Sequence, residues 1–75
     1  MDHTTQQSQL QEAETQLQRV EESIVFQQQM IAKLDQGGHD VRAARMFLKR
    51  LKAQHTELIA ERDRLFKDLT NPSSG

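Results

Sequence analysis

Cysteine, tryptophan and tyrosine are absent from this chain of 75 residues, and proline occurs once. Without cysteine there is no disulfide framework and no thiolate metal site, a lack that fits a reducing interior without requiring one. No apolar run is long enough to cross a bilayer. The opening Met-Asp-His-Thr-Thr-Gln-Gln has neither the basic start nor the apolar stretch of a secretory leader. A cytoplasmic location is the expectation. Residues that favour strands are too sparse for a sheet. Helix breakers are few as well: apart from the terminal Gly75, only Gly37, Gly38 and Pro72 interrupt the chain. The net charge of −1 offers no overall excess to attract a polyanion.

What the chain does have is Gln, Glu, Leu, Arg, Lys and Ala, the usage of long helices and coiled coils. At this length there is one domain at most, and it needs an oligomer or very regular helix packing to be stable. Apolar positions run Leu10, Ala13, Leu17, Val20, Ile24, then Gln27, Ile31 and Leu34, in alternating steps of three and four. That rhythm is a heptad seam. It is broken by Gln-Gly-Gly-His-Asp at 36–40, where the first glycine is expected to supply the left-handed cap of one helix and Asp40 to cap the next. It then resumes as Val41, Ala44, Leu48, Leu51, His55, Leu58, Arg62, Leu65 and Leu69. The expected fold is all-α: an antiparallel two-helix hairpin, with a helix from about 5 to 36, a turn at 36–40, a helix from about 40 to 70, and a disordered tail at 71–75. Thr4, Thr5 and Ser8 are alternative N-caps for the first helix. A complete chain is the expectation from the Met start and the Pro-Ser-Ser-Gly end, with a piece of a longer coiled-coil protein as the alternative.

Folding the chain about its glycines pairs seam residues whose numbers add to 75, such as Leu34 with Val41, Ile24 with Leu51, Val20 with His55 and Leu10 with Leu65. In that register Glu21 falls near Lys52, and Met30 near Phe47. The polar seam positions Gln27, His55 and Arg62 are expected to fix register, with Arg62 extending past Ala13 toward water or Glu14. His55 reads first as a tolerated edge residue, with a pH-dependent association as the alternative for a half-covered histidine.

Two helices alone cannot enclose a seam, so more surface must be covered elsewhere. Val25, Phe26, Met30, Phe47, Ile59 and Phe66 widen the apolar surface beyond it and are the expected interface of a homodimer packed as a four-helix bundle. Lys33, Arg42, Arg45, Lys49, Arg50 and Lys52 face only Asp35 and Asp40 near the turn, whereas the far half is acidic. Rods charged in this way favour a head-to-tail dimer, although salt weakens the effect.

Catalysis has little to work with: there is no nucleophile beside a base and no Gly-rich phosphate loop. The histidines, His3, His39 and His55, form no helical ligand pair. No enzyme activity, metal or cofactor is expected. Arg42, Arg45, Lys49 and Lys52 share one helical face that would follow a phosphate backbone, but the chain lacks a recognition motif and nucleic acid is not the favoured partner.

The stretch Val20–Leu65, with Ile24, Gln28, Ile31 and Leu34, then Gly38, Asp40, Ala44, Leu48 and Leu51, then Arg62-Asp63-Arg64-Leu65, resembles small two-helix proteins of rhizobial and related alphaproteobacterial genomes. The resemblance covers roughly the middle two-thirds of the chain. It implies a bacterial cytoplasmic setting and no particular activity. Asp35 and Asp40 at the hairpin tip are similar to the acidic tips of coiled-coil fingers that enter the secondary channel of bacterial RNA polymerase, though the globular domain of those factors has no counterpart here. The Ser-Gln-Glu-Leu-Asp signature of the helical-hairpin phosphatases of sporulation is absent, so their activity is not implied. The expected function is protein–protein contact, as a self-associating regulator or adaptor. The alternative is a nucleic-acid or polymerase-associated factor using the basic half or the acidic tip, and steep salt dependence would mark it.

Overall fold

The computed structural model describes residues 3–70, with side-chain surroundings from residue 5 onward; the expected tail at 71–75 lies outside the described residues. Two helices, α1 (His3–Gln36) and α2 (Arg42–Thr70), pack antiparallel as a rod of 57 × 16 × 13 Å. No strand occurs among the described residues. Among the described residues no helix is long and apolar enough to cross a membrane.

Two expected caps differ: the start of α1 and the glycine that ends it. α1 begins at His3, so Thr4, Thr5 and Ser8 lie inside it. The reason is that nothing between His3 and Leu10 breaks a helix already anchored by the seam, and extending it costs little once nucleated. The left-handed residue at the other end is the second glycine, Gly38 (φ +76°), not the first. Gly37 is the last right-handed position, its N–H donating to the Lys33 carbonyl at 3.1 Å. Gly38 N–H then donates to Asp35 O at 3.0 Å and His39 N–H to Leu34 O at 2.9 Å, which satisfies carbonyls the helix end would otherwise leave bare.

Asp40 starts the return. Its Oδ1 accepts the Arg42 backbone N–H at 3.0 Å, the side-chain cap that relieves an orphan donor at a helix N-terminus, and α2 runs from there.

Between the helices the three-four rhythm becomes burial. Ala13, Leu17, Val20, Val41 and Leu58 are buried, and Leu10, Ile24, Ile31, Leu34, Ala44, Leu48, Leu51, Leu65 and Leu69 are half-buried. Leu17, Val20 and Leu58 form the central cluster, with Ile24 and Ile59 packed against it. Yet among the described residues no side chain is completely buried. The chain exposes 6033 Å², where a compact monomer of its 8.7 kDa would expose roughly 4,700 Å². Its radius of gyration is 17.1 Å, against about 11 Å for a globular domain of the same length.

Candidate interaction surfaces

A hairpin of two helices has two broad faces, one on each side of the seam, and the seam spacing decides which residues lie on each. On the first face α1 presents Arg19, Ser23, Phe26 and Met30, and α2 presents Ala43, Phe47, Arg50 and Gln54. Arg19, Glu22, Ser23, Phe26, Gln27 and Phe47 line an open depression of about 440 Å³ there, so Phe26 and Phe47 belong to one patch although they come from different helices. On the opposite face α1 presents Glu14, Glu21, Val25 and Gln28, and α2 presents Arg45, Lys52, Ile59 and Phe66. Phe66 lines a smaller depression with Glu14, Arg62 and Asp63, near the open end of the rod.

The six residues expected to form a single interface are thus divided. Phe26, Met30 and Phe47 gather on one face near the turn, and Ile59 and Phe66 on the other face near the open end. Val25 is on that second face but nearer the turn. Ile59 is also half-covered by the hairpin's own core, whereas the other five are exposed. Met46, exposed on the outer flank of α2 beside Phe47, was not among the expected residues. Its position, one before Phe47 and four after Arg42, gives no seam signal, and only its apolar character could have drawn notice.

The polar seam residues are each satisfied. Gln27, only 7% exposed, donates from Nε2 to the Ala44 carbonyl at 3.2 Å and so ties α1 to the backbone of α2. Glu21 does not pair with Lys52. Its Oε2 lies 3.0 Å from His55 Nε2, because the imidazole emerges from the seam directly beside it. Arg62 turns to its neighbour Asp63, at 3.0 Å, instead of Glu14. Among the described residues no buried side-chain nitrogen or oxygen lacks a partner.

Around the turn, Asp40 grips Arg42 through both carboxylate oxygens, at 2.7 to 3.1 Å. The guanidinium hydrogen bond, and after it the backbone one, holds the Asp40 carboxyl below its ordinary range and raises the Arg42 value in turn. One acidic group of the tip is therefore already engaged. Arg45, Lys49 and Lys52 have no ion-pair partner among the described residues, so Arg42 is the one cation of the basic stripe that is neutralised at home. Among the same residues no three His, Asp or Glu side chains are grouped to hold a metal ion.

Compared with protein-family models, with curated proteins and with solved structures, the chain matches none.

Proposed function

We propose that this chain is a non-enzymatic helical protein that works by self-association and protein–protein contact, as a homodimer in which two hairpins pack into a four-helix layer. One observation carries the reading. All three aromatic residues of the chain point outward, Phe26 62%, Phe47 51% and Phe66 57% exposed, while the seam encloses no side chain completely. A fold that spends its aromatic area on solvent and leaves its core open gains most by covering that area with another protein surface.

Light scattering across protein concentration tests it, with helicity followed in parallel. The expected result is twice the chain mass at micromolar concentration and a loss of mass on dilution. A helical monomer at every concentration would remove self-association as the basis of function.

A second reading uses the free cations Arg45, Lys49 and Lys52, aligned over two turns of α2. It makes the stripe a polyanion surface. Binding to duplex DNA or RNA that falls steeply with added salt would favour it, and a salt-insensitive dimer with no such binding would exclude it.

A further inference from the structure

We infer that a second copy of this chain docks antiparallel on the face that carries Phe26, Met30 and Phe47, about a two-fold axis at the level of Gln28 and Phe47. The inference rests on the self-association proposed above and assigns its surface. A two-fold interface must be self-complementary, each residue finding its match in the same patch of the other copy. Along α1, Phe26 and Met30 lie equally far on either side of Gln28, so an antiparallel copy sets each Phe26 against the other Met30. The same axis sets Lys33 opposite Glu22 of the second copy, within one residue of register. Both lie on the outer flank of this face, where bundle helices form their bridging ion pairs, and neither has an ion-pair partner in its own chain among the described residues.

The second helix demands the same axis independently. Residues level with one another across the hairpin have numbers adding to about 75, close to the observed pair of Glu21 with His55. The level of Gln28 on α1 is therefore that of Phe47 on α2, so Phe47 meets its own copy on the axis. Arg50 falls opposite Ala43 of the second copy, where a small side chain leaves it room.

Charge over the whole rod favours a full-length overlap, but the basic stripe does not oppose this placement. The basic stripe of α2 lies on the opposite face, so the two stripes end on opposite outer surfaces, roughly two helix diameters or 20 Å apart, well beyond the ~8 Å screening length of physiological salt.

The absence of cysteine makes single-cysteine variants direct reporters of the axis. Oxidised at low concentration, Phe47→Cys is expected to give a disulfide-linked dimer, and a mixture of Phe26→Cys with Met30→Cys a mixed one, whereas Phe66→Cys gives none. Lys33→Glu should weaken the dimer about tenfold by turning two attractions into repulsions, and adding Glu22→Lys in the same chain should restore it. These positions are exposed or on the outer flank, so helicity should be unchanged, and circular dichroism checks that. A wild-type dimer that links through Phe66→Cys and not through Phe47→Cys would overturn this face while leaving self-association standing. A wild type that is monomeric at every concentration would overturn both.

Discussion

Gly38 and Gly37 show how two identical residues in adjacent positions can have opposite requirements. A Cβ added at Gly38 meets nothing within 4 Å, so space does not reserve the position for glycine; the φ of +76° does. A side chain there is held in the left-handed region, and Gly38→Ala is expected to cost about 1 kcal/mol. At Gly37 the backbone is ordinary, and the added Cβ comes to 3.0 Å from the exposed His39 ring, which can swing aside. Gly37→Ala should therefore lie near neutral, since a less flexible unfolded chain offsets the contact. Urea titrations of the two variants at one protein concentration check this, and the reverse ranking would contradict the assignment of the cap. From the residues alone either glycine could have taken the left-handed position. The choice is set by where the last α1 turn runs out of seam, a matter of a single residue that the heptad pattern does not resolve.

Asp40 makes a second prediction at the same scale, one with a sign. Its folded carboxyl titrates below the ordinary value of 3.8 because the Arg42 guanidinium and backbone N–H bind the ionised form. A depressed carboxyl stabilises the folded state in full above its unfolded value, and the contribution disappears as pH falls through the folded one. Asp40→Asn keeps an oxygen for the cap but loses the charge. The wild type should be the more stable of the two above pH 5, by a constant difference, and that difference should shrink below about pH 4. Chemical denaturation at pH 3, 4, 5 and 7 measures it. A gap that persists undiminished at pH 3 would mean that the ion pair is not its source.

At the scale of the helix, the seam was the most legible part of the sequence, because a period of seven leaves few ways to place two uninterrupted helices. Burial nonetheless varies along it. Leu17 is 5% exposed and sits in the central cluster with Val20 and Leu58, whereas Leu69, at the same kind of position near the open end, is only half-covered. Leu17→Ala is accordingly expected to cost about 2 kcal/mol or more, and Leu69→Ala well under half of that. Thermal unfolding of both variants at equal concentration checks the gradient, and equal losses would show that the seam is held uniformly. What the seam pattern left unread was the division of the remaining apolar residues. The spacing that places Phe26, Met30 and Phe47 on one side of the seam places Val25, Ile59 and Phe66 on the other, so the signal was present, but taking these six together as one interface passed over it. Partners of charged side chains were less legible still. Glu21 stands within reach of both Lys52 and His55 in the register, and it is the histidine that it meets.

For the whole molecule, the position of the two-fold axis fixes the length of the dimer, and length separates two assemblies that mass alone does not. A single hairpin is 57 Å long. Head-to-tail packing over the full rod, the arrangement that the separation of charge between the two halves favours, leaves that length almost unchanged and only thickens the particle. An axis at the level of Gln28 lies about eight residues, or ~12 Å, from the end of α1 and a few ångströms more from the tip. Two copies overlapping about that point extend to about 80 Å, because each open arm projects beyond the turn of the other. Small-angle scattering on the purified dimer should therefore give a maximum dimension near 80 Å, with a four-helix middle and two-helix ends. A dimer no longer than about 60 Å would place the axis near the middle of the rod. Phe26, Met30 and Phe47 would then oppose the polar open half of the other copy, and self-association would have to draw on Ile59, Phe66 and the charged halves. The projecting arms matter for function too. They would leave the acidic open end of each chain, with Ile59 and Phe66, free in the dimer, and that surface would be the first place to look for a different protein bound at each end.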